Sequence, residues 1–214
     1  MKKIALIILL FLAVGYSQAQ EKNPIGYTPS SYYTFSWNMV FPFSDFHKWV
    51  NEVGLAGFDI GGRYFIKNGL NVGFNISWDR VAAEYTHSTY TIPDKGIAIN
   101  ATNYRFTWMV PFSAYIGYHF MPDKMASPYI GLGIGGDYME HHLMVQEYDI
   151  YKERWDFSLT PEIGVLVKFG SFSNWGAILA GNYKWTTNKV EFYNTETKNL
   201  QMFNLKVGLA YVIR

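Results

Sequence analysis

The clearest pattern in the chain runs from Tyr104 to Phe120, where every even-numbered position is apolar or aromatic. The odd positions between them are mostly polar or small, so the segment repeats with a period of two. That period is typical of a β-strand with one apolar and one polar face. Strands in globular proteins have about five or six residues, whereas a strand that crosses a bilayer needs about 9–11. The segment is long enough to cross a membrane and continue beyond it.

The same alternation recurs along the chain and predicts eight strands. It is cleanest in Leu70–Asp79, where apolar residues alternate strictly with polar or small ones. The predicted strands are approximately 31–40, 54–66, 70–79, 104–120, 128–139, 155–169, 175–185 and 200–213.

The connections between these strands alternate between long and short. Segments 41–53, 80–103, 140–154 and 186–199 are long, and segments 67–69, 121–127 and 170–174 are short. Asn68-Gly69 is a residue pair that tight hairpin turns prefer. Thr86–Ile92 still alternates weakly, so we expect its hairpin to project past the membrane. Long loops at one end and short turns at the other are typical of outer-membrane barrels. The sequence therefore predicts an all-β fold, an eight-stranded antiparallel up-and-down transmembrane β-barrel.

Alternation alone leaves open which face points outward. A soluble lipocalin-like carrier would enclose the apolar face. However, an eight-stranded barrel has little internal volume, and the aromatic side chains of this face would need more volume than it provides. Aromatic residues also gather at both ends of the apolar face, as in the girdles of membrane barrels. The long-loop girdle contains Trp37, Trp78, Trp108, Trp155 and Trp185, and the short-turn girdle contains Tyr64, Tyr118, Tyr129, Phe169, Trp175 and Tyr211. We expect this face to contact outer-membrane lipid.

The opposite face then points into the lumen and carries five acidic and five basic residues. They are Asp59, Asp79, Asp137, Asp156 and Glu162 with Arg63, Arg105, Lys168, Lys184 and Lys206. Charges in a narrow, poorly hydrated interior need partners, so we expect a network of ion pairs and hydrogen bonds. Such a network would plug the barrel and fix its register. The alternative is a narrow, porin-like path for small solutes.

Composition agrees with an envelope protein. Aromatic residues make up 19% of the chain and charged residues 16%, against about 25% charged in a typical soluble domain. The formal net charge is +1, so nothing indicates a nucleic-acid partner. The absence of cysteine excludes disulfides and thiolate metal sites.

The N-terminus resembles a secretory signal peptide. Lys2 and Lys3 precede the apolar run Ile4–Val14, and Ser17-Gln18-Ala19 is a suitable cleavage site. The apolar run is too short for a membrane-spanning helix. We expect residues 1–19 to be removed on export, residues 20–30 to form a short leader, and residues 31–214 to form the barrel domain in the cell outer membrane.

Two strands also carry a family resemblance. The glycine-rich PYIGLGIGGDY at Pro128–Tyr138 and the closing NLKVGLAYVIR at Asn204–Arg214 resemble the small eight-stranded barrels of the OmpA/OmpX-like family. The resemblance implies insertion by the barrel-assembly machinery. The closing strand of family members usually ends on an aromatic residue that this machinery recognises, whereas the closing strand here ends on Ile213-Arg214. We expect no peptidoglycan-binding domain of the kind that some members append.

Some barrels of this kind modify lipid A, which would require a serine activated by a histidine. His87-Ser88 are sequence neighbours whose side chains would leave a strand on opposite faces. His119 has no obvious serine partner in the sequence, and His141-His142 with Glu140 would be an unusual loop metal site. We therefore expect no enzymatic activity, no cofactor and no metal.

Binding through the external loops is the remaining function. The first long connection contains Phe41, Phe43, Phe46 and Trp49, and the third lies beside Tyr148, Tyr151 and Trp155. Such amphipathic side chains are enriched at binding sites, but they also anchor proteins in the headgroup zone. We expect a structural or surface-interaction role, with an external ligand or surface as the partner of the loops.

Overall fold

The computed structural model describes residues 28–92, 97–145, 148–170, 173–192 and 195–214, with the backbone alone for 87–92, 97–101, 191–192 and 195–196. The predicted signal peptide and most of the leader lie outside the described residues. The elements are β1 (Ser31–Phe43), α1 (Ser44–Trp49), β2 (Ala56–Lys67), β3 (Leu70–Ile92), β4 (Ile97–His119), β5 (Ala126–Val145), β6 (Tyr148–Lys168), β7 (Trp175–Thr186), β8 (Glu191–Phe192), β9 (Thr195–Glu196) and β10 (Gln201–Ile213).

Eight of these strands form a closed barrel in the order β1-β10-β7-β6-β5-β4-β3-β2. All neighbouring pairs are antiparallel, and β1 closes the ring by pairing with both β2 and β10. The short β8 and β9 pair only with each other, within the last long connection. The predicted eight-stranded up-and-down barrel is confirmed. Asn68 (φ 47°) and Gly69 (φ 88°) form the predicted turn between β2 and β3.

The strands are of two lengths, and the longer ones project at the end where the long connections lie. Strands β3 to β6 have 20–23 residues, whereas β1, β2, β7 and β10 have 12–13. The prediction of loops at 80–103 and 140–154 is therefore wrong, because most of these residues continue the strands. The weak alternation at 86–92 indicated the first projection, but the sequence did not predict the second.

The reason for this error is that the apolar positions change face along the strands. Between the two girdles, in what we call the lower barrel, the outward residues are apolar, as at Ile76 and Ile134, and the inward ones are polar. Beyond the long-loop girdle the inward residues become apolar: Val81, Met139 and Leu143 are buried inside the barrel. The change interrupts the period of two that identified the other strands.

The outer surface of the lower barrel is apolar over its whole circumference. Exposed side chains from different strands include Phe35, Ile60, Ile76, Ile116, Ile134, Ile163 and Leu209, whereas Ser36, Asn38, Asp59, Asn182 and Asn204 are buried inside. The lipocalin-like alternative is therefore wrong, because it requires the reverse arrangement. Within the described residues, no helix is both long and apolar enough to cross a membrane.

The aromatic residues expected at the girdles point outward, with one exception. Exposed on the outer surface are Trp37, Trp78, Trp155, Tyr64, Tyr118, Phe169, Trp175 and Tyr211, and Trp108 and Trp185 are half-buried there. Tyr129 is the exception, since it lies inside the barrel and is only 1% exposed. Its neighbour Ile130 points outward, and Gly164 on β6 leaves room for the inward tyrosine ring. The assignment of Tyr129 to a girdle is therefore corrected.

Candidate functional site

The middle of the lumen contains a connected group of four charged side chains, which we call the central network: Asp59, Arg63, Glu162 and Lys206. Lys206 Nζ lies 2.9 Å from Asp59 Oδ2 and 3.2 Å from Glu162 Oε2. Arg63 Nη2 lies 3.7 Å from Glu162 Oε1. Two negative and two positive charges from β2, β6 and β10 therefore balance in the interior.

Neutral groups complete this network. Ser77 Oγ donates to Asp59 Oδ2 (2.9 Å), and Tyr129 Oη donates to Glu162 Oε1 (3.1 Å). The Arg63 guanidinium lies 3.5 Å from the centre of the Tyr115 ring. Removing one partner from a buried ion pair is costly, because the remaining charge is left uncompensated. The network therefore fixes the register of the strands that contribute to it.

A second group lies nearer the long-loop end of the barrel, which we call the external mouth. Lys184 Nζ is 3.4 Å from Asp137 Oδ1, and Asn38 Nδ2 donates to Asp79 Oδ1 (2.7 Å). Between the two groups lies a cavity of about 20 Å³, lined mainly by polar residues that include Lys184 and Asn204. The lumen is thus filled by side chains from every strand.

The other three charged residues expected in the lumen network lie elsewhere. Arg105 lies above the network, 5.1 Å from the Trp49 ring and 4.4 Å from the Tyr85 ring. Asp156 pairs with Arg154 (2.9 Å) at the external mouth. Lys168 donates to the carbonyl of Pro122 (2.6 Å) at the short-turn end. Their strands pass beyond the central layer, so an inward direction alone does not bring them together.

A third group closes the short-turn end. Tyr32, Leu166 and Val212 pack together there as a small apolar cluster. His119 is buried beside them, with Nε2 3.0 Å from Tyr32 Oη and Nδ1 2.8 Å from Ser127 Oγ. Sequence analysis missed Ser127, which comes near His119 through the β4–β5 register. His119 and Ser127 are both buried inside the barrel, so a lipid substrate cannot reach them.

The external mouth is closed by α1, which turns its apolar side into the barrel. Phe46 and Trp49 are fully buried there. They pack in an apolar cluster with Val40, Val50, Val81, Ala83, Met109, Met139, Leu143, Val190, Leu200 and Met202. We call this cluster the apolar vestibule. Phe46 and Trp49 were expected to bind ligands or headgroups; that expectation is wrong, because the mouth provides an apolar layer that buries them.

A chain of hydrogen bonds, here called the mouth clasp, crosses the vestibule from α1 to the connection after β7. Trp49 Nε1 donates to Thr107 Oγ1 (3.0 Å), which lies 2.9 Å from His141 Nδ1. His141 Nε2 lies 3.0 Å from Asn188 Oδ1, and Asn188 Nδ2 donates to Asp156 Oδ2 (2.9 Å). Because Asn188 Oδ1 can only accept, Nε2 carries a hydrogen, and a neutral imidazole then accepts from Thr107 at Nδ1.

Outside the vestibule, the projecting strands present an exposed surface that is aromatic and acidic. Tyr148 is 75% exposed, Tyr151 62% and Trp155 67%. Beside them, Tyr138 Oη lies 2.6 Å from a carboxylate oxygen of both Glu140 and Glu153. The outward-facing residues of β5 and β6 form this surface, which we call the outer patch; Trp155 lies at the girdle and Tyr151 beyond it. Tyr148 is exposed on the opposite face of β6, the face that also carries Ile150.

His142 belongs to the same surface. Its ring stacks on Phe106 with 4.3 Å between centroids, and Nδ1 lies 3.0 Å from Asp149 Oδ2. Among the residues with described side chains, no three His, Asp or Glu are arranged to hold a metal ion. His87-Ser88 lies outside the described side chains.

Strand β6 also has an exposed edge next to the outer patch. Its pairing with β7 begins at Ser158, opposite Thr186, although its pairing with β5 continues to Tyr148. Between these points Asp156 is held by Thr187 Oγ1 (3.2 Å) and Asn188. Within the described ladders, residues 148–155 therefore have a partner strand on one side only.

Solved structures with the same architecture identify the class of fold. Neisserial surface protein A (NspA) shares 16% identity and a TM-score of 0.50, covering 86% of this chain and 98% of NspA. Ail, the attachment invasion locus protein of Yersinia pestis, shares 13% identity and a TM-score of 0.50, covering 87% of this chain and all of Ail. The chain has the fold of the small outer-membrane barrels.

This likeness and the apolar outer surface agree with each other. The surface between the two girdles contacts outer-membrane lipid, and the polar lumen and the vestibule lie within the barrel wall. No protein-family model matches the sequence, and neither does any curated protein.

Proposed function

We propose that the protein is a non-conducting outer-membrane barrel that acts as a surface-interaction protein through its projecting strands. The observation that carries this proposal is the combination of a lumen filled at three levels with a sheet that extends well beyond the external girdle. The interaction surface is the outer patch and the adjoining edge of β6.

The filled lumen favours this role over a narrow pore. Tyr32 and Leu166 close the short-turn end, the central network crosses the middle, and Trp49 closes the external mouth. A solute path would need all three layers to open. Buried ion pairs with short distances oppose that, because separating them leaves uncompensated charges.

The projecting sheet supports interaction with an external partner. Exposed tyrosine and tryptophan combine apolar area with hydrogen-bonding groups and are enriched at protein interfaces. A strand edge can also accept an added strand from a partner. Tyr151 of the outer patch lies two register rows beyond the girdle tryptophan Trp108, and Tyr148, on the opposite face of β6, lies five rows beyond it. These positions favour a partner in solution over lipid anchoring.

An enzymatic role is not part of the proposal. His119 and Ser127 are enclosed in the wall, and His141 is bound at both ring nitrogens within the mouth clasp. We further propose that the barrel-assembly machinery inserts the chain.

The test compares cells that display the intact chain with cells that display a triple variant, Tyr148→Ser, Tyr151→Ser and Trp155→Ser. Adhesion to a panel of immobilised matrix proteins and glycans is measured for both, after folding is equalised by the mobility difference between unboiled and boiled samples. A matched control replaces the lipid-facing Phe35, Ile60 and Ile76 with leucine.

The proposal predicts that intact and control cells adhere to at least one surface and that the triple variant loses most of that adhesion. If the triple variant adheres as well as the intact chain, these three aromatic residues do not carry the function and the proposal is wrong. Stepwise conductance of the purified protein in planar bilayers would instead support the narrow pore.

A further inference from the structure

The mouth clasp joins two separate external connections through a single ionisable residue. Trp49 belongs to α1, Asn188 follows β7, and His141 lies between them on β5. His141 is 2% exposed. On β5, His141 lies three positions beyond Tyr138, which pairs with the girdle residue Trp155, and one register row beyond Trp108. His141 is therefore on the external side of the girdle.

The part of the clasp from Trp49 through Thr107 to His141 depends on a neutral imidazole, whereas the Nε2 hydrogen bond to Asn188 does not. The Thr107 hydroxyl accepts from Trp49 and donates to His141 Nδ1. A proton on Nδ1 would turn the imidazole into a second donor facing this oxygen. Thr107 would then have to turn its own hydrogen away from its acceptor, inside a buried site.

We propose that the mouth clasp is an acid-released latch: protonation of His141 breaks the Thr107 contact and frees α1 from the apolar vestibule. The proposal concerns the mouth of the barrel and does not depend on the function proposed for the outer patch.

The surroundings of His141 favour the neutral form. Burial lowers the pKa of His141 from its ordinary 6.5 to about 4; the neighbouring His142 adds to this, and the Asn188 hydrogen bond opposes it. The charged and titratable groups nearest to His141 on the elements packed around it are Arg105 on β4, Glu140 and His142 on β5, Lys152, Arg154 and Asp156 on β6, Asp45, His47 and Lys48 on α1, and Lys189 beside Asn188. Asp156 is already engaged by Arg154 and Asn188, so it does not serve as a free counter-ion.

The direction of the effect follows from this pKa. A group whose pKa is lowered in the closed state stabilises that state fully above its ordinary pKa and loses the contribution as the pH falls. Between about pH 6.5 and pH 4, the open form should gain about tenfold in relative population for each pH unit, because one proton is bound on opening.

The absence of cysteine in the chain permits a direct test. Met139 is fully buried in the vestibule beneath α1, and Met139→Cys places a single thiol there. Tyr148→Cys gives an exposed reference thiol on the same projection. Both full-length proteins, folded in detergent, are labelled with a disulfide reagent that reacts in acid. The ratio of the two rates cancels the pH dependence of the thiol chemistry.

We expect the relative labelling rate of the Met139→Cys protein to rise at least tenfold between pH 7.5 and pH 5, with the folded band on unboiled gels unchanged. His141→Gln, which cannot be protonated, should abolish the rise, and His142→Gln on the outer face should leave it intact. A ratio that stays constant with pH would overturn the latch. A rise that persists in His141→Gln, or that disappears in His142→Gln, would also overturn it, because another group would then control the mouth. If His141→Gln does not fold, the Met139→Cys measurement alone still decides whether the mouth opens in acid.

Discussion

Replacing Lys206 with methionine tests whether the central network holds the barrel together. The ammonium group contacts both Asp59 (2.9 Å) and Glu162 (3.2 Å) and is buried. The variant keeps the length of the side chain but leaves two buried carboxylates without their cation. Breaking a buried ion pair on one side destabilises a protein by about 3–5 kcal/mol. We expect the lower half of that range, because Ser77 still donates to Asp59 and Arg63 still faces Glu162.

The assay is reversible unfolding in urea, with the protein folded in lipid vesicles and tryptophan fluorescence as the signal. Lys124→Met is the matched control, because Lys124 lies in the exposed turn after β4 and pairs loosely with Asp123 at 3.5 Å. That control should change the free energy of unfolding by less than about 0.5 kcal/mol.

A double-mutant cycle separates the ion pair from general packing effects. Asp59→Asn combined with Lys206→Met removes one charge of each sign, so the double variant should be less destabilised than the sum of the single variants by at least about 1.5 kcal/mol. Additive effects, or a free energy for Lys206→Met within about 0.5 kcal/mol of the parent, would refute the view that this network stabilises the fold.

Three further outcomes follow from the same structure. Ile134→Arg, on the lipid-facing surface between the girdles, should destabilise the folded barrel by about 2–4 kcal/mol in the same urea assay, whereas Ile134→Leu should have little effect. Gly131→Ala should reduce the yield of heat-modifiable protein, because the added Cβ would overlap the Tyr115 hydroxyl inside the barrel. The intact protein and Trp49→Ala should both be silent in planar bilayers, because the central network lies below the vestibule; channels in the intact protein would contradict an occluded lumen.

The barrel itself could be predicted from the sequence because the membrane and the lumen impose opposite polarities on adjacent residues. Where that contrast holds, as in Leu70–Asp79, the strand and its facing are evident. The turn at Asn68-Gly69 was also predictable, because few residue pairs adopt two successive positive φ angles.

The arrangement of the lumen depended on information that alternation does not contain. Alternation gives the direction of a side chain, whereas its height in the barrel depends on the register between strands. Arg105 and Lys168 both point inward but lie at opposite ends of the barrel, so neither belongs with Lys206. The contact between His119 and Ser127 was missed for the same reason.

The external mouth was mispredicted because the rule that finds membrane strands reverses there. Above the girdle both sides of the wall meet water or the vestibule, so apolar residues face inward, as in a soluble protein. The point of reversal on β3 lies between Trp78, which faces outward, and Val81, which is buried inside. A break in alternation directly after a girdle tryptophan therefore marks the membrane surface rather than the end of a strand. The same reversal explains α1: once the inner wall is apolar, a short amphipathic segment with Phe46 and Trp49 is the simplest way to keep water from it.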